Sequence, residues 1–231
     1  MPDVILFDLF GVIAHQQSPA DRRALVATAD ASTTAFWDVY WRLRPPYDRA
    51  EVTGAEYWRQ VATELGTTFT DDRIAALIAA DIASWNAVDP DMTALLAQAA
   101  TAGTRLALLS NIPEDLAAHY EQHHGHWLRH LDVIGFSCRI GHAKPEPEAF
   151  RWCCQELGVA PDRILFVDDR AENITAAQRL GMRTHQFADP AALQQEINQT
   201  RPTAGRARHH PGRVTADSSY RPVKPRPVPH P

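Results

Sequence analysis

Residues 4–14 read Val4-Ile5-Leu6-Phe7-Asp8-Leu9-Phe10-Gly11-Val12-Ile13-Ala14. The four apolar residues between Asp3 and Asp8 have the length and composition of a strand buried on both faces, and the strand ends on a carboxylate. Comparable apolar runs recur at 105–109, 133–136 and 164–167, with a weaker fifth at 184–187. Helical spacing fills the intervals. Residues 91–101 precede Gly103, residues 113–123 begin on a proline, residues 147–157 precede Gly158, and residues 171–180 precede Gly181. Glycine just past a helix end is a C-cap signal, and proline suits a first turn. Strands alternating with helices of about ten residues predict an α/β fold built on a doubly wound parallel sheet.

The interval after the first strand breaks this rhythm. Residues 15–88 carry helical patterns at 33–43, 54–65 and 70–85, and Pro45-Pro46 predicts a break after the first of these. Four of the six tryptophans fall here, Trp37, Trp41, Trp58 and Trp85. The expected organisation is a core of residues 1–14 and 89–199 with a small helical cap domain, 15–88, set over it. Residues 201–231 contain seven Lys/Arg, one Asp and seven Pro, without Leu, Ile, Phe, Met or Trp. That composition cannot offset ordering entropy, so 200–231 is expected to be a disordered, basic, proline-rich tail. The net charge of −5 therefore divides into +6 on the tail and −11 on the body.

The composition excludes several classes. No stretch approaches the roughly 20 apolar residues of a membrane span, and the acidic N-terminus lacks the cationic region of a signal peptide. Three cysteines, two of them adjacent, form no disulfide framework, so a cytoplasmic location is expected. An acidic body repels polyanions, so nucleic acid is not expected as a partner.

In doubly wound sheets ligands bind beyond the carboxyl ends of the strands. The residues there are Asp8, Phe10, Ser110, Asn111, Lys144 near the start of a later helix, and Asp168-Asp169. Three carboxylates in one crevice repel one another unless a cation lies between them. A hard divalent ion with oxygen ligands, Mg²⁺, meets that need and suits a phosphoryl substrate. Ser110 and Lys144 have the groups to hold phosphoryl oxygens, and Asp8 is placed to act as a carboxylate nucleophile.

The series FDLFGVI, LLSN, GHAKPEPEAF and FVDDRAENI, in this order, resembles the four motifs of the haloacid dehalogenase-like (HAD) hydrolases over about residues 1–190. The resemblance implies a Rossmann-like core with a cap inserted after the first strand. It implies Asp8 as nucleophile, Ser110 and Asn111 as ligands of phosphoryl oxygens, and Lys144 as the bridge between phosphate and carboxylates. It also implies Mg²⁺ held by Asp8, the carbonyl of Phe10, Asp169 and Asp168, with Asn173 supporting Lys144 or the metal shell. The implied activity is hydrolysis of a small phosphorylated metabolite, such as a sugar phosphate, through an aspartyl-phosphate.

Phe10 departs from that pattern, because the phosphatases of this family carry a second aspartate there as general acid and base. A phenyl ring transfers no proton, and a contribution of about 10²–10⁴ in rate is at stake. Three accounts stand open. The leaving group needs little protonation, as with an anomeric sugar phosphate or an acyl phosphate; another residue such as His15 or His142 supplies the proton; or the protein is a ligand-binding, regulatory relative with little catalysis. A 2-haloacid dehalogenase also lacks the second aspartate and needs no metal, but Asp168-Asp169 favours the metal.

His119, His123, His124, His126 and His130 include pairs at helical i,i+4 spacing, yet Gly125 interrupts them, and a solvated helix and loop is the expected reading. The cap tryptophans are expected mainly in the core, and Arg42 and Arg44 mainly on the surface.

Overall fold

The computed structural model describes residues 2–199; the basic stretch 200–231, expected to be disordered, lies outside the described residues. In chain order the elements are β1 Val4–Phe7, α1 Pro19–Ala29, α2 Thr33–Asp48, α3 Gly54–Glu64, α4 Asp71–Ser84, α5 Pro90–Thr101, β2 Arg105–Ser110, α6 Glu114–His123, α7 Gly125–Leu128, β3 Val133–Phe136, α8 Ser137–Ile140, α9 Pro147–Leu157, β4 Ile164–Asp168, α10 Ala171–Arg179, β5 Arg183–Gln186 and α11 Pro190–Gln199.

All five strands are parallel, in the order β3-β2-β1-β4-β5. Alternate residues of the central strands feed two separate cores, as the two-residue period of a strand requires. Ile5 and Phe7 of β1, with Leu106 and Leu108 of β2, pack among residues of α5, α6 and α11. Val4 and Leu6, with Ala107 and Leu109, face Phe150 and Cys153 of α9 and Ile174 and Ala177 of α10. Helices therefore cover both faces of the sheet. The chain leaves β1 toward β2 on one side and returns to β4 on the other, which opens a crevice beyond the carboxyl ends of β1 and β4.

The helices α1–α4 have their own apolar cluster, centred on Leu25, Phe36, Tyr40, Tyr57, Trp58 and Leu77. Their starts are set locally: Ser18 accepts from Asp21 N–H, Thr70 accepts from Arg73 N–H, and Thr53 with Glu56 forms a reciprocal capping box. The break expected at Pro45-Pro46 does not occur, since α2 runs through both prolines to Asp48. The carbonyls that lose their partners belong to Trp41 and Arg42, which are exposed residues, so water can satisfy them. Just before the prolines, Arg44 is anchored to Asp81 and, across them, to Asp48, at 2.8 Å each, which holds the last turn in place. Beside the one-turn helices α7 and α8, two longer helices escaped the sequence reading. Helix α1 buries only Leu25, Val26 and Ala29, a thin stripe among charged residues. Helix α11 anchors itself through Leu193 and Ile197 alone.

Candidate active site

The carboxyl end of β1 is built by a tight loop. Asp8 N–H continues the sheet by donating to Val167 O at 2.8 Å, and Gly11 N–H then turns back to Ala14 O at 2.6 Å. Gly11 has φ +90°, and a methyl group on it would overlap the Asp169 carboxylate, so only glycine fits that approach. The loop leaves Asp8 almost wholly buried beside the end of β4.

Lys144 is the hub. Its Nζ lies 2.6 Å from Asp8 Oδ1 and 2.8 Å from Asp168 Oδ2, and all three side chains are nearly inaccessible to water. Asn111 fixes the backbone that carries it. The Asn111 Nδ2 donates to Lys144 O at 2.7 Å, and Lys144 N donates to Asn111 Oδ1 at 2.8 Å. The Asn111 side chain is thus committed to Lys144, not directed at the cleft alone. The Lys144-Pro145 peptide is cis. Asp168 also accepts from Arg170 N–H at 2.8 Å and from Asn173 Nδ2 at 3.0 and 3.1 Å. The amide of Asn173 therefore orients Asp168.

The electrostatics are strained by excess negative charge. Burial pushes the Asp8 carboxyl up to about 7; Lys144 opposes the rise and Asp168 adds to it. Burial works against the Lys144 ammonium, but Asp8 and Asp168 outweigh it and hold its pKa above the ordinary value. Asp169 is raised by burial and by Asp168, against a hydrogen bond from Gln16. One ammonium contacts two of the three carboxylates.

Two orphaned atoms complete the picture. The Asp169 Oδ1 and Ser110 Oγ are buried with no hydrogen-bond partner. Such groups are costly without a ligand. Asp8, Asp168 and Asp169 each offer an oxygen within 4.8 Å of the others, the single such acidic group among the described residues. Gln16 Nε2 donates to both Asp169 Oδ2, at 3.2 Å, and Phe10 O, at 3.3 Å. It gathers two of the four groups that the family resemblance assigns to a cation. The donor set, all hard oxygens with one unsatisfied, fits Mg²⁺.

A cleft of ≈ 660 Å³ opens over these residues. Asp8, Asn111, Lys144 and Asn173 form its floor on the sheet side, and Trp41, Arg44, Arg49 and Trp85 come from the helical insert. Among the ties that hold the insert on the sheet, Tyr47 Oη donates to Asp115 at 2.8 Å, Ser137 Oγ donates to Asp48 O at 2.6 Å, and Arg49 meets Glu146 at 3.3 Å.

Several sequence candidates lie apart. His15 and His142 are not among the residues lining the cleft. His119 and His124 both hydrogen-bond Asn86 Oδ1, at 2.9 and 2.6 Å, and form no metal-binding group with the other histidines. Arg42 is exposed and paired with Glu64, as a surface residue would be. Arg44, expected on the surface, is buried, because Asp48, Asp81 and the Tyr40 hydroxyl surround it. The sequence reading missed Gln16, Arg49 and Arg170 at the site. An amide or guanidinium in a loop carries no periodic signal that could have marked them.

The sequence matches the profile described as haloacid dehalogenase-like hydrolase over residues 2–181. The first curated relatives are longer proteins, or are matched in part, and the chain spans about a third of their length or less. The sesquiterpene phosphatase astK of Aspergillus oryzae is 26% identical over 84% of this chain and 94% of its own. Among solved structures, a HAD family enzyme of Bacteroides thetaiotaomicron in complex with magnesium and inorganic phosphate superimposes with a TM-score of 0.67 at 19% identity, covering 84% of this chain and 99% of that one. The L-2-haloacid dehalogenase of Xanthobacter autotrophicus does so with a TM-score of 0.62 at 19% identity, over 88% and 85%. Likeness at this identity shows the shared fold, and chemistry rests on the side chains that a fold carries.

Proposed function

The chain belongs to the haloacid dehalogenase-like hydrolases, and from that membership we propose that it is a Mg²⁺-dependent phosphatase of a small phosphorylated metabolite. The carrying observation is the buried Asp169 Oδ1 without a partner, beside two further carboxylates that share one ammonium. A dehalogenase site has no use for that surplus of negative charge, whereas a divalent cation and a phosphoryl group balance it.

Asp8, the carbonyl of Phe10, Asp169 and Asp168 are the groups that would hold the ion, which supplies charge neutralisation at the phosphoryl oxygens. Asp8 Oδ1 is engaged by Leu9 N–H and Lys144, so Oδ2 is the attacking oxygen. It bonds to phosphorus as the ester oxygen departs, and water then releases phosphate and regenerates the carboxylate. The Ser110 hydroxyl donates to a phosphoryl oxygen, and Lys144 holds its charge between Asp8 and the incoming phosphate. Asn111 and Asn173 act as positioning residues, the first for Lys144 and the second for Asp168. The division into a core (1–14 and 89–199) and a closing cap (15–88) belongs to the same proposal.

The test is phosphate release from a panel of phosphorylated compounds with Mg²⁺ and with EDTA, for wild type and Asp8→Asn. Release that needs both Mg²⁺ and Asp8 is expected. Phe10 favours a second reading, dehalogenation. Chloride release from 2-chloropropionate in EDTA, without phosphatase activity, would replace the first reading with the second.

A further inference from the structure

We infer that the leaving group of the substrate is a planar, apolar and weakly basic oxygen, an aryl or enol oxygen, and that Trp41 selects it. This rests on the phosphatase reading of the site.

Trp41 is the one large apolar side chain left exposed among the described residues, at 44%. It stands in the cleft, not on an outer surface. Its ring is held edge-on by Trp85 (6.1 Å, 80°) and by Tyr40 (4.9 Å, 86°), so its orientation is set before anything binds. Trp85 in turn contacts Phe10, with centroids 4.8 Å apart at 56°, and donates its Nε1–H to the Tyr40 hydroxyl at 3.1 Å. A continuous aromatic wall therefore runs from the residue two positions beyond Asp8 out to the exposed indole. A polyhydroxylated leaving group would find few hydrogen-bond partners along it, whereas a flat apolar one would stack.

The same wall occupies the place where a proton donor is expected. Among the described residues no imidazole lines the cleft. Its carboxylates beyond Asp8 are each engaged by an arginine: Asp48 by Arg44, Glu146 by Arg49 and Glu172 by Arg170. The P–O bond must then break without proton transfer from the protein. The Asp8 oxygen forms the new bond to phosphorus, and the departing oxygen keeps the electron pair and leaves as a phenolate or enolate, which takes its proton from solvent. Water hydrolyses the aspartyl-phosphate, giving inorganic phosphate and the free carboxylate. An alkoxide is too basic to leave in this way, and a glycerol ester would lose the 10²–10⁴ that a general acid contributes; an anomeric sugar oxygen leaves more readily, but its hydroxyls find few partners along the aromatic wall.

The experiment compares phenyl phosphate, glycerol phosphate, glucose 1-phosphate and acetyl phosphate on wild type, Trp41→Ala and Trp41→Phe. For wild type, kcat/KM for phenyl phosphate should exceed that for glycerol phosphate and glucose 1-phosphate by about 10²-fold. In Trp41→Ala, the ratio of kcat/KM for phenyl phosphate to that for acetyl phosphate should fall about tenfold, mainly through KM. Trp41→Phe should restore it, and circular dichroism with thermal unfolding verifies that losing the indole contacts with Tyr40 and Trp85 leaves the fold intact. If glucose 1-phosphate is preferred, or the ratio is unmoved by Trp41→Ala, the inference is overturned and the phosphatase reading survives. If no compound, acetyl phosphate included, gives Asp8-dependent phosphate, both are overturned.

Discussion

Lys144 Nζ lies 2.6 Å from Asp8 Oδ1, with the two side chains only 2% and 8% exposed. This contact joins the loop after β1 to the loop before α9. It places a fixed positive charge at the oxygen that neighbours the attacking one. Replacement by methionine keeps the stem and removes the charge. Lys144→Met is expected to lower kcat for phosphate release about 10³-fold. Steady-state kinetics, with circular dichroism to verify the fold, checks it.

Asp169 carries the orphaned oxygen, so it should govern metal affinity. An ion that binds only the folded state at 100 times its Kd stabilises by about 2.7 kcal/mol. For a chain of this size that is a rise in Tm of about 5–10 °C. Thermal unfolding of wild type should show such a rise with Mg²⁺ over EDTA, and Asp169→Asn should lose most of it.

Arg44 and Asp81 form a buried pair at 2.8 Å between α2 and α4. Asp81 also accepts from the Tyr40 hydroxyl at 2.7 Å. Removing one partner of a buried pair typically costs 3–5 kcal/mol, and Asp48 remains to compensate Arg44 in part. Asp81→Ala should therefore lose about 3 kcal/mol in urea unfolding. The double variant Arg44→Met with Asp81→Ala should lose still more, because the buried Asp48 carboxylate is then also left without its arginine.

His124 titrates low, at about 4, because burial disfavours its charge and His119, His126 and His123 add repulsion. Its Nε2 meets Asn86 Oδ1. A folded-state pKa below the unfolded value means that the unfolded chain takes up the proton first. The contribution is complete above pH 6.5 and is lost as pH falls toward 4. Because the ring is half-exposed, the effect is on the order of 1 kcal/mol. Urea midpoints measured from pH 7.5 to 4.5 should fall less steeply for His124→Gln than for wild type.

Much of the core was legible because parallel strands buried on both faces leave unbroken apolar runs such as Val4–Phe7 and Ile164–Val167. The polar residues that follow them stood out for the same reason: each interrupts a run that burial would otherwise continue. The helical insert was read less well. Pro45 and Pro46 signal a break locally, and only the Arg44–Asp81 pair and the exposure of the freed carbonyls explain the continuous helix. Trp37, Trp58 and Trp85 are buried as expected of tryptophan, and Trp41 is not; spacing alone could not separate them.

By itself, the sequence determined the alternation of strands and helices, the insert after β1 and the list of strand-end residues, since each follows from local periodicity and local capping. The partnerships were decided by tertiary structure. Gln16 meets Asp169 across 153 residues of chain because β4 docks against β1 in the order β3-β2-β1-β4-β5. That order follows from which faces must be covered together, a property of the whole chain. The same closure binds Asn111 to the backbone of Lys144 and leaves Asp169 Oδ1 and Ser110 Oγ without partners. Burial makes those absences costly, and the cost exists only once the folded chain has excluded water from them.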